Sequence, residues 1–121
     1  MIIDTLTVPD MPWINEYSWS SRTANAQYAS SGALIVEVAQ RQVGRPIVLQ
    51  DDMLTRATVN ALVTHADATP GEFDITLGDG REFTVMWDFA AGPISAEPLQ
   101  AETDPDNTSF LMGVTLRFMT I

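Results

Sequence analysis

The 121-residue sequence contains no cysteine, which removes disulfides, thiol nucleophiles and thiolate metal sites together. It contains no lysine either, and its six basic residues are Arg22, Arg41, Arg45, Arg56, Arg81 and Arg117. His65 is the only histidine, so a three-histidine zinc site is excluded. No run reaches the roughly 18 apolar residues of a membrane helix. The first residues lack a basic segment followed by an apolar stretch, which argues against a signal peptide. The expectation is a soluble protein, made and used without a secretion signal; the lack of cysteine is compatible with a reducing cytoplasm.

Sixteen acids against six arginines give a net charge of −10. Residues 1–21 hold three acids and no base, residues 22–66 three acids and four arginines, and residues 67–121 ten acids and two arginines. Such a surface repels phosphate backbones, which disfavours specific nucleic-acid binding. The length fits one domain over 1–121, with 1–32 read as an N-terminal arm and loop region.

The clearest pattern lies between Gly71 and Phe89. Phe73, Ile75 and Leu77 alternate with Glu72, Asp74 and Thr76, and Phe83, Val85 and Trp87 alternate with Glu82, Thr84 and Met86. A period of two marks strands with one buried face. Asp79-Gly80 between them predicts a hairpin with a type I′ turn.

Elsewhere, β-branched residues predict a strand over 2–8. Pro9 and Pro12 predict an extended segment without regular pairing, ending at Trp13, which is either tucked under its own core or inserted into a neighbour. Tyr17 and Trp19 fall on one face of an expected strand over 16–22. Residues 23–32 are small and polar and read as a long loop of the kind that is often functional or mobile. Strands are expected over 33–39 and 45–50, the second ended by Asp51-Asp52. The expected helix runs over about 55–66: Val59, Leu62, Val63 and Ala66 form one apolar stripe, Thr55 is the N-cap, and Pro70-Gly71 stops it. Pro98 marks 94–99 as an edge strand. The alternating run Phe110–Thr120 predicts a long central strand. The fold class expected is mainly β, an antiparallel sandwich or barrel-like domain flanked by one α-helix.

Candidate chemistry is sparse. His65 in the last helical turn suits a structural role at the negative helix end. Asp104, Asp106 and Asn107 faintly match a calcium loop but lack its glycine and terminal glutamate. Gly78-Asp79-Gly80 lies inside a hairpin and not between a strand and a helix, so it is no phosphate loop. No catalytic, cofactor or metal residues are therefore assigned. Trp13, Tyr17, Trp19 and Tyr28 are either core or an oligomer or partner interface, where aromatics are enriched.

One combination of segments is more specific. Gly44-Arg45-Pro46-Ile47-Val48-Leu49, the helix near 55–66, Pro70-Gly71, the run from Ile75 to Val85, and Ala96-Glu97-Pro98-Leu99 occur in an order and spacing that resembles small tail-tip proteins of long-tailed bacteriophages, the distal tail and related baseplate proteins. The resemblance covers about residues 33–121. It implies a structural, non-enzymatic virion protein at the tail tip, assembled in the host cytoplasm. It also implies a homo-oligomeric ring, commonly hexameric, that continues the tail tube and carries the tail-tip hub proteins, with no cofactor. Under that reading Glu102, Asp104 and Asp106 are candidates to face a channel through which DNA passes. The alternatives are a neck or tail-completion protein, a stand-alone acidic β binding module, and a small enzyme using carboxylates.

Overall fold

A computed structural model describes residues 1–20, 22–40, 44–100 and 103–121. Among these the chain is mainly β, with antiparallel sheets curled into a half-barrel and one helix.

The N-terminal strands β1 (Ile2–Ile3) and β2 (Leu6–Thr7) form a miniature hairpin turned at Asp4, whose φ is 54°. The single strand expected over 2–8 is thus folded back on itself. Next in the chain come β3 (Arg22–Tyr28) and β4 (Leu34–Gln40), then β5 (Pro46–Thr55). Helix α1 (Arg56–Ala68) leads to β6 (Phe73–Thr76), β7 (Glu82–Trp87), β8 (Ile94–Pro98) and β9 (Phe110–Thr120). The main sheet has the order β2-β1-β6-β7-β9-β5, and β8 also pairs with β9. The long strand β9 is therefore central: β5 runs along one side, and β7 and β8 share the other in succession.

The β6–β7 hairpin forms as the alternation predicts, but its turn differs. Asp79 does not have positive φ; Gly80 alone does, at 91°. Leu77 accepts from Gly80 N–H and donates to Arg81 C=O, so the loop has three residues with glycine in the left-handed position. Asp79 is instead fixed by its side chain, which accepts from the Arg81 backbone N–H and pairs with the Arg81 guanidinium. These bonds, the backbone one foremost, hold its carboxyl below the ordinary value.

Helix α1 starts where Thr55 Oγ1 accepts from Thr58 N–H, at 3.4 Å. Its buried residues are Val59, Leu62 and Ala66. Val63, expected in the stripe, is exposed, and the buried face is the narrower line Val59, Leu62 and Ala66. Asp51 and Asp52 do not end the preceding strand; β5 continues through them to Thr55.

The core is built on Trp87 and Phe118, stacked with centroids 4.5 Å apart, with Phe73 packed edge-on against Phe118. Ile3, Ile47, Leu49, Leu62, Ile75, Val85, Val114 and Leu116 close around them and are fully or almost fully buried. Gly113, with φ 59°, redirects the central strand. Below it the even residues Val114, Leu116 and Phe118 point inward. Above it Leu111 and its partner Leu54 pack on the core, while Phe110, Met112 and Met53 are exposed. The positive φ of Gly113 falls where the β8–β9 register shifts, and β5 changes its inward side in step, from Leu49 to Leu54.

Candidate assembly surface

Residues 11–20 form turns, with Trp13 bridging to Leu49, and not the strand expected around Tyr17 and Trp19. Pro12 C=O accepts from Gln50 N–H, and Ile14 N–H donates to Val48 C=O. Asn15 extends the pairing: its Oδ1 accepts from Val48 N–H at 2.9 Å and from Trp13 Nε1 at 2.6 Å, and its Nδ2 donates to Pro46 C=O. The segment so covers part of the open edge of β5 with satisfied backbone groups, which discourages edge-to-edge association there.

Trp13 is half-buried against Phe83, with centroids 5.5 Å apart. The guanidinium carbons of Arg45 and Arg81 lie over its ring at 4.4 and 5.0 Å from the centroid. Arg45 also reaches Trp19 at 5.4 Å and donates to Glu16 C=O. Arg81 donates to the Glu16 carboxylate, and this bond raises the guanidinium pKa further above its ordinary range. Trp13 and Trp19 thus anchor their own segment through cation–π contacts. Tyr17, by contrast, is 93% exposed.

Residues 23–32, read as a loop, are mostly strand: β3 pairs with β4 from Arg22↔Gln40 to Tyr28↔Leu34. The turn repeats the three-residue device of the β6–β7 hairpin. Gly32 has φ 86° and donates to Ala29 C=O, and Ala29 N–H donates to Ala33 C=O.

This hairpin forms its own two-stranded sheet, separate from the main one. Partners in register share a face, which puts Ala24, Ala26 and Tyr28 beside Val38, Val36 and Leu34. All six are exposed: Tyr28 76%, Leu34 56%, Val36 51% and Val38 58% among the large ones. A two-stranded hairpin is marginal in water without a covered face, and contiguous exposed apolar surface marks an interaction site. Of the four candidate aromatics, only Tyr28 belongs to this face. Leu34, Val36 and Val38 fall in the strand expected over 33–39, whose pattern does not mark them as surface. The available signal was the alternation of Ala24, Ala26 and Tyr28 with Thr23, Asn25 and Gln27.

The acidic loop precedes β9. Glu102 lies outside the described residues. Asp104 is exposed. Asp106 is exposed too, but its Oδ1 accepts from Thr108 Oγ1 at 2.7 Å, Thr108 N–H at 2.9 Å and Ser109 N–H at 3.1 Å. These bonds, led by the Thr108 hydroxyl, hold its carboxyl below the ordinary value. Beside the loop, Arg56, Pro98, Pro105, Ser109, Phe110 and Leu111 line an open cleft of about 380 Å³. Among the described residues no three metal-ligating side chains converge, and no helix is long and apolar enough to cross a membrane.

No family model, curated protein or solved structure matches the chain.

Proposed function

We propose that this chain is a structural subunit of the tail tip of a long-tailed bacteriophage. In this reading it forms a ring that extends the tail tube and holds the neighbouring tail-tip proteins while DNA passes through. The observation that carries the reading is the β3–β4 hairpin, which shows an uncovered apolar face in an otherwise strongly acidic chain. A subunit whose hairpin is completed only by a neighbour is suited to repeated assembly. The sequence resemblance over residues 33–121 supplies the tail-tip context.

The acid excess has a role in this reading. A net charge of −10 keeps a passage that DNA crosses from becoming one that binds it. Asp104 is the better candidate for the channel wall, since Asp106 is occupied in holding its own loop. Reversal of Asp104 and Glu102 to lysine is expected to slow DNA ejection; unchanged ejection removes the channel role.

The location is tested by electron microscopy of phage particles labelled with antibody against this chain. Label at the tail tip, in ring copy number, supports the reading. Label at the neck supports a tail-completion role, and absence from the particle removes both. A stand-alone binding module is favoured only by the cleft at Arg56 and Phe110, and it would leave the hairpin face without a purpose.

A further inference from the structure

A second apolar surface lies on the body of the molecule, above the redirection at Gly113. Met53 and Met112 are directly paired across β5 and β9. Phe110 lies two residues before Met112 on the same face, and Leu99 donates its N–H to Phe110 C=O from the β8 side. All four side chains are exposed. They form one small patch across β5, β9 and the residue that follows β8, bordered by the exposed Glu97, which pairs with Met112. We propose that this patch receives the apolar face of the β3–β4 hairpin from a second copy of the chain. The proposal rests on the oligomeric part of the function above and names its two surfaces.

Three arguments select a second copy. The first is charge. The hairpin from Arg22 to Gln40 contains only Arg22 and Glu37 as charged residues and is neutral, while the whole chain carries −10. Body against body is opposed by repulsion between like charges; the neutral hairpin is the part of a copy that can approach.

The second is shape. Strands of seven residues are about 24 Å long, and a two-stranded ribbon is roughly 10 Å wide. A patch spanning three adjacent strands has a similar width, about two strand spacings of ~4.8 Å, and from Phe110 to Met112 it extends about 7 Å along β9, so it seats one part of the ribbon. Two methionines give the patch the adaptability to accept a surface of branched and aromatic side chains.

The third is area. The ribbon's whole footprint is roughly 240 Å² on each partner, so a contact buries less than about 500 Å², below the ~1,200 Å² of a stable pairwise interface. One contact alone therefore holds two copies weakly. Because donor and acceptor surfaces differ, however, the contact is heterologous, and each copy has one of each to offer. Such contacts propagate until a ring closes, and closure holds every copy on two sides.

The cysteine-free sequence makes the test direct. Three single-cysteine variants are prepared, Val36→Cys, Met112→Cys and Val63→Cys, the last on the exposed side of α1. Pairs are mixed and treated with a short bismaleimide, with and without tail-tube protein. The expected result is crosslinked dimer from V36C with M112C, and only background from V36C with V63C. Loss of the V36C–M112C product when the acceptor also carries Phe110→Glu would support the assignment further. V36C crosslinking mainly to itself would overturn it, since hairpins would then face each other. Absence of the V36C–M112C product under every condition would also overturn it. A V36C–M112C crosslink from a chain that antibody labelling does not find in particles would keep the docking and remove the tail-tip reading.

Discussion

Trp87 donates its indole N–H to Nδ1 of His65 across 3.0 Å, and Nε2 of the same ring lies 3.1 Å from Asp4 Oδ2. With Nδ1 accepting, the ring proton sits on Nε2 and is given to the carboxylate. The only histidine thereby ties the helix to the N-terminal hairpin turn and to the largest core side chain. Both ring nitrogens are occupied. Replacing His65 by Phe leaves the buried indole N–H without an acceptor, a loss of about 1–3 kcal/mol. Urea unfolding of H65F is expected to show a lower midpoint with an unchanged slope; an unchanged midpoint would mean that this bond adds nothing.

Gly78 and Asp10 define a second close relationship. A Cβ at Gly78 would lie 2.6 Å from the Asp10 carboxyl carbon. The Asp10 carboxylate is exposed and pairs with the Met1 ammonium at 2.6 Å, so it can swing aside, and Gly78→Ala is expected to cost only about 0.5 kcal/mol by loosening that pair. In the Asp10→Gly background the same substitution should cost almost nothing. Equal costs in both backgrounds, measured by thermal unfolding, would show that the contact is not the cause.

Much of this architecture was legible in the sequence. The period-two runs around Gly78-Asp79-Gly80 gave the β6–β7 hairpin, Thr55 and Pro70-Gly71 bounded the helix, and Phe110–Thr120 emerged as the central strand. The rest is not written in the local residue pattern. Residues 23–28 use alanine where a strand with a face buried in the core would use valine or isoleucine, so local hydrophobicity is too low to signal a strand. Tyr17 and Trp19 alternated by chance in a segment whose conformation is set by Asn15, Arg45 and the β5 edge. The switch at Gly113, which creates the exposed Met53–Met112 pair, depends on one backbone angle that a strand pattern does not reveal.

Asp106 gives a pH-dependent expectation. Hydrogen bonds from Thr108 and then Ser109 lower its pKa from the ordinary 3.8. The folded loop therefore favours the ionised form. Its contribution to loop order is fully present above the unfolded value and is lost as pH falls through the lower folded value. The carboxyl carbon of Asp106, followed by NMR, should titrate below 3.8, and the Thr108 and Ser109 amide resonances should move with the same midpoint. A midpoint at or above that value would contradict these bonds.

The claim that the exposed hairpin drives assembly is tested most directly by light scattering. The molar mass of the wild-type chain is compared across concentration with that of Val36→Glu/Val38→Glu, with and without tail-tube protein. Both residues are already exposed, so the variant should keep the wild-type monomer stability to within about 0.5 kcal/mol. The expected result is a wild-type mass that rises with concentration, or in the presence of tail tube, toward a discrete ring, and a variant that stays monomeric throughout. A variant that assembles like the wild type, or a wild type that remains a monomer even with tail tube present, would contradict the account.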